Sequence, residues 1–120
     1  MSRVAITNSS CSTIGYIDTS SILNSSGSTI GRISSGSIRN SSGSTIGRFS
    51  SERVVNSSGS TIGYFRSGRA SNSNGSTIGY AENGSIRNSS GSTIGMYRDS
   101  LTDEQLVVIL AFLFDFWDFD

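Results

Sequence analysis

"NSSGSTIGR" occupies residues 40–48, and near copies of it stand 16 residues to either side, at 24–32 and 56–64. Six copies of the unit start at Cys11, Gly27, Gly43, Gly59, Gly75 and Gly91, with no insertion between them, and a half copy, "VAITNSS", precedes them at residues 4–10. A short fixed period marks stacked units, none of which can bury its apolar face alone. Sixteen residues are too few for a helical repeat, which takes about 33. They suit one coil of a β-solenoid, two or three short strands joined by tight corners. Coils about 4.8 Å apart would make six copies a rod on the order of 29 Å long.

The columns of the repeat support this reading. The fourth position is Ile14, Ile30, Ile46, Ile62, Ile78 and Ile94. The seventh runs Ile17, Ile33, Phe49, Phe65, Ala81, Tyr97, and the twelfth runs Ile6, Ile22, Ile38, Val54, Ala70, Ile86. These columns become ladders in a solenoid, and the isoleucine ladder is expected at the core because β-branched side chains fit a pleated surface. A bend at the fifth-position glycine would let the fourth and seventh positions both face inward. Large and small residues in neighbouring coils should compensate in volume. The fourteenth position is Asn8, Asn24, Asn40, Asn56, Asn72 and Asn88. Asn tolerates the left-handed region, so this column reads as a corner ladder, with side chains able to bond between coils.

Composition sets the outer bounds. The chain has 120 residues, 34% of them hydrophobic, with 14 Gly, no Pro, no His and one Cys. One Cys forms no internal disulfide. All nine basic residues are Arg. Residues 1–98 carry these nine arginines and three acids, Asp18, Glu52 and Glu82, a balance of +6. Residues 99–120 carry six acids and no Arg, so the net charge is zero. The start, "MSRVAITNSS", has no apolar signal region, and a cytoplasmic location is expected.

The tail, "LTDEQLVVILAFLFDFWDFD", changes pattern. Thr102 with Gln105 forms a capping box, and Asp103 and Glu104 suit a helix N-terminus. The β-branched and aromatic run "LVVILAFLF" equally fits a strand. Nine apolar residues are too few for a bilayer span of roughly 20. The chain therefore divides into a β-solenoid body, 1–100, and a capping or oligomerisation segment, 101–120. Leu106, Val108, Leu110, Phe112, Phe114, Phe116, Trp117 and Phe119 are the expected oligomer interface. The N-terminal half coil shows no cap and would leave one face open. A dimer or a head-to-tail homo-oligomer follows from an open start and an apolar end.

Catalysis finds no support. A Ser nucleophile needs a base, and the chain has neither His nor Lys. "GSTIGR" lacks the lysine of a phosphate loop and opens no helix. Cys11 stands alone where other copies have Gly, so no metal site or other cofactor is expected. Two surface columns stand out. The sixth position, Tyr16, Arg32, Arg48, Tyr64, Tyr80 and Met96, would interleave Arg and Tyr on one face able to hold an acidic partner or nucleic acid. The zero net charge and missing Lys weigh against nucleic acid, and the acidic tail weighs against a membrane. The third position, Thr13, Thr29, Thr45, Thr61, Thr77 and Thr93, gives one rank of hydroxyls, a partial likeness to ice-binding solenoids.

The pattern "SSGSTIGRI", residues 25–33, resembles short-repeat β-solenoid proteins of bacteria whose roles are uncharacterised. The resemblance covers residues 4–98 and implies a β-solenoid fold with no catalytic residue. The sequence thus points to a self-associating structural scaffold of about seven coils, without a small-molecule substrate.

Overall fold

The computed structural model describes residues 3–98, 100–114, 116 and 117. Twelve strands precede one helix: β1 (Val4–Asn8), β2 (Thr13–Asp18), β3 (Ser21–Asn24), β4 (Thr29–Ser34), β5 (Ser37–Asn40), β6 (Thr45–Ser50), β7 (Arg53–Asn56), β8 (Thr61–Arg66), β9 (Arg69–Asn72), β10 (Thr77–Glu82), β11 (Ser85–Asn88), β12 (Thr93–Tyr97) and α1 (Asp103–Leu113). Each strand pairs antiparallel with its chain neighbours, and β1 pairs with β12, which closes the sheet into a barrel. The molecule is a disc, 34 × 34 × 22 Å.

The expected solenoid is therefore replaced by a closed antiparallel ring. In a solenoid, equivalent positions of successive copies pair in parallel. Here Gly31 pairs with Ile22 on one side and Asn40 on the other, so equivalent positions lie two strands apart. The two corners of each repeat cause this, because both are hairpin turns. At the first, Ser35 (φ 51°) and Gly36 (φ 84°) are both left-handed. Consecutive left-handed residues make the type I′ turn that reverses a twisted strand in two residues. Asn83 and Gly84 do the same.

The second corner is wider. Asn40 N donates to Ser44 O and Gly43 N donates to Asn40 O, both at 3.0 Å, with Gly43 at φ 88°. Asn40 Oδ1 accepts from Ser42 N at 3.0 Å and Ser44 N at 3.1 Å. This is a three-residue hairpin loop stapled by its own asparagine. Asn8, Asn24, Asn56, Asn72 and Asn88 make the same pair of bonds. Each Asn closes its own loop; the bonds run within a repeat. Cys11 fills the glycine slot of the first loop at φ 70°. A side chain there costs about 1–2 kcal/mol. Cys11→Gly is expected to raise stability by about 1 kcal/mol, read as a higher urea midpoint at unchanged slope.

The N-terminal half copy is the seam. Ile6 lies opposite Tyr97 as Ile17 lies opposite Ile22, so β1 supplies the second strand of the sixth repeat. What reads as an open coil face is the partner that closes the ring. No strand edge is left to cap or to polymerise along this sheet.

The seventh- and twelfth-position columns face inward and are all buried. They pair directly across each hairpin: Phe49 with Val54, Phe65 with Ala70, Ala81 with Ile86. Large faces small in Phe65–Ala70 and Ala81–Ile86, whereas Ile17–Ile22, Ile33–Ile38 and Tyr97–Ile6 pair two large residues, and Phe49 and Phe65 meet edge to face at 6.5 Å. The fourth-position isoleucines sit at β-bulges. Ile38 pairs with Gly47 and Arg39 with Thr45, leaving Ile46 as the extra residue. Ile14, Ile30, Ile46, Ile62, Ile78 and Ile94 are half-buried and pack against the edge of the core.

Twelve strands give a perimeter on the order of 58 Å, and wall side chains alone do not fill so wide a ring. The helix α1 fills it. Thr102 and Gln105 form the capping box, and Gln105 Nε2 donates to Thr19 O at 2.8 Å, fixing the helix at the tight-turn mouth. Leu106 through Ala111 are consecutively buried, as a helix surrounded on all sides requires. Body and tail share one core.

Candidate functional site

The interior is occupied by the chain's own tail. Fifth-position glycines face inward and seat it. Gly15 lies against Leu113, Gly31 against Phe112, Gly63 against Trp117, Gly79 against Phe116 and Gly95 against Phe114. Trp117 Nε1 donates to Ser71 O at 3.0 Å. Of the residues expected at an oligomer interface, Leu106, Val108, Leu110 and Trp117 are buried inside the ring. Phe112, Phe114 and Phe116 are half-buried against the same core, and Phe119 lies outside the described residues. These described apolar side chains pack against the ring's own wall.

Strand alternation sends the sixth position outward. Arg32, Arg48 and Tyr64 are exposed, while Tyr16 and Tyr80 are half-buried. The closed sheet joins this column to arginines at the eleventh and thirteenth positions, which belong to no uniform column of the repeat. Arg39 lies opposite Arg32, Arg53 opposite Tyr64, and Tyr80 has Arg69 on one side and Arg87 on the other. The result is an arc over β4–β11, with Arg32, Arg39, Arg48, Arg53, Arg66, Arg69 and Arg87 all exposed. Residues 32–87 hold these seven arginines against two acids, a balance of +5. Among the described residues the one ion pair is Arg66 with Glu52 at 3.6 Å, both side chains largely in solvent. Arg3, over the Tyr16 ring at 5.4 Å, lies beyond this arc near the seam.

Two contacts in this arc work against stability. Arg32 faces Arg39 and Arg66 faces Arg69 as direct cross-strand partners. Like charges so placed are destabilising. The threonine column does not form a flat strip, because closure spreads Thr13, Thr29, Thr45, Thr61, Thr77 and Thr93 around a curved wall on alternate strands. No group of three or more His, Cys, Asp or Glu is placed to hold a metal among the described residues, and no described helix is long and apolar enough to cross a membrane.

One wall group has a shifted acidity. Burial pushes the Tyr97 phenol above its ordinary 10.0; a backbone hydrogen bond at Gly84 pulls it down, and nearby Glu82 adds a smaller upward push. The folded state thus favours the neutral phenol, so its contribution is complete below pH 10 and is lost as pH rises through the folded value. Stability is expected to fall above pH 10, and Tyr97→Phe should lessen that fall, measured as urea midpoints between pH 8 and 11.5.

No curated protein and no solved structure matches the chain. A family model described as "5-fold beta-flower protein" matches residues 4–115. That span takes in all twelve strands and the helix. The match and the ring agree on a short-repeat β protein, though here six hairpin repeats, not five, close the circle. With nearly the whole length matched, the chain belongs to the 5-fold beta-flower protein family.

Proposed function

We propose that this chain is a non-catalytic structural module, a plugged ring that holds a rigid basic wall out to an anionic partner. One observation carries the reading: seven exposed arginines line β4–β11 with a single acid paired among them. Folding does not call for that arrangement, since two of its cross-strand pairs oppose like charges. The buried tail supports a scaffold role, because it makes the wall one rigid body with its core. Tail-mediated self-assembly has no part in this reading, for the tail's described apolar side chains pack against the ring's core.

The test is binding of labelled poly-glutamate to the full chain, followed by fluorescence anisotropy. Saturable binding is expected at low salt, weakening in the Arg69→Gln/Arg87→Gln variant. If neither poly-glutamate nor any other polyanion binds at low ionic strength, the reading fails.

A further inference from the structure

We propose that the partner of this wall is single-stranded nucleic acid, held by phosphate contacts to arginine and by base stacking on Tyr64 and Tyr80. The proposal rests on the anionic-partner reading above and narrows it. Charge alone would suit any polyanion; the tyrosines discriminate. Tyr64 is the one large apolar side chain exposed among the described residues, 38% open to solvent. Its flanking partners across the sheet are Arg53 and Ser71. Tyr80 stands two strands further on, between Arg69 and Arg87. On the intervening β9 the register steps two residues, from Ser71 opposite Tyr64 to Arg69 opposite Tyr80, so with adjacent strands about 4.8 Å apart the two rings are separated by roughly 12 Å.

An acidic peptide would use the arginines and leave both rings without a role. Unpaired bases use both, since every base presents a face for stacking and every nucleotide a phosphate. The basic residues are all Arg, which adds planar, bidentate phosphate contacts to charge. A duplex buries its base faces and could not use the tyrosines. The wall is convex, the outside of a disc 34 Å across. A flexible strand can follow such a curve, whereas a flat bilayer meets it along one line. The six acids that bring the net charge to zero all fall within residues 99–120, outside the sequence span 32–87 that carries the arc.

The experiment uses the full chain and a labelled 12-nucleotide oligo-dT, read by anisotropy across a salt series. The same sequence as a duplex and poly-glutamate of matched charge serve as comparisons. Single-stranded DNA should bind tightest. Engagement of about four phosphates gives a slope of log K against log salt of about −3. Tyr64→Ala should weaken oligo-dT binding about tenfold or more, with Tyr64→Phe near wild type and poly-glutamate binding unchanged. Arg39→Ser should raise the melting temperature by removing the repulsion with Arg32, while weakening the oligonucleotide. Poly-glutamate or duplex binding as tightly as oligo-dT, or Tyr64→Ala binding oligo-dT like wild type, overturns the nucleic-acid assignment and leaves the anionic-partner reading. Failure of every polyanion overturns both. Tyr64 lies on the outer wall, so its substitution does not touch the core, and an unchanged melt certifies the fold.

Discussion

A chain ending at Ser100 is expected to lose the cooperative fold of the full protein. The truncation removes six consecutive buried residues, Leu106 through Ala111, together with the aromatics seated on the glycine column. Full burial of a large apolar side chain contributes about 1.5–3 kcal/mol. Five such side chains and Ala111 therefore contribute on the order of 10 kcal/mol, an upper estimate because unfolded chains already bury part of that surface. Domains of this size are stable by about 5–15 kcal/mol in all. The twelve strands would also surround an apolar lumen too wide for their own side chains to fill. The truncated chain should show no sharp thermal transition and should aggregate by light scattering, while the full chain melts cooperatively. A soluble truncated monomer with the wild-type melting temperature would mean the ring does not depend on its plug. An assembly role for the tail would then come back into view.

Much of this was legible in the residues, and the part that was not has a physical cause. The 16-residue period, the inward seventh and twelfth columns and the Asn corner all follow from column chemistry. Solenoid and ring share those columns, because both put equivalent residues on one face. They differ in the direction of neighbouring strands, which the turns decide. "ENGS" at 82–85 and "SSGS" at 34–37 hold that information. Asn-Gly is the strongest short signal for a type I′ hairpin, and Asn83–Gly84 is one. A hairpin in every repeat forbids parallel coils. The half copy at residues 4–10 is the second signal: half a repeat at one end is what a ring needs to close strand on strand.

The tail shows a different kind of ambiguity. Capping chemistry at Thr102 and Gln105 specified a helix start, whereas the β-branched run favoured a strand. A helix buried on every side needs no amphipathic stripe, so the periodicity that normally separates the two was missing. The arginine–tyrosine wall was half legible. The sixth column was visible along the chain, but Arg39, Arg53, Arg69 and Arg87 join it only once antiparallel pairing sets them alongside. Separation along the sequence hid a cluster that register creates.

The glycine column supports the second large effect, Gly31→Ala. Unlike the loop glycines, Gly31 has no left-handed φ, so its backbone suits alanine. Were the glycine present only for flexibility, alanine would stiffen the unfolded chain and stabilise the protein by about 0.4–1 kcal/mol. The ring predicts the opposite sign. A Cβ at position 31 would fall within 2.8 Å of Phe112 Cε1 and 2.7 Å of Cε2, with Cζ nearer still. Its three nearest neighbours all belong to that one ring, wedged between helix and wall. Overpacking of this kind costs about 1–3 kcal/mol. Phe112→Ala alone should also destabilise, by removing the plug's contact with β4. The double variant should be more stable than the sum of the two losses allows, since the small side chain at 112 leaves room for the new methyl. A coupling of about 1 kcal/mol or more is expected from residues in direct contact. Urea melts of the wild type, both single variants and the double variant measure it. Stabilisation by Gly31→Ala, or strict additivity with Phe112→Ala, would show that the tail does not sit on this glycine. Coupling of the expected sign would mean that the glycine of "STIG" at position 31 leaves the plug a seat, in the contact that Gly15, Gly63, Gly79 and Gly95 also make with the tail.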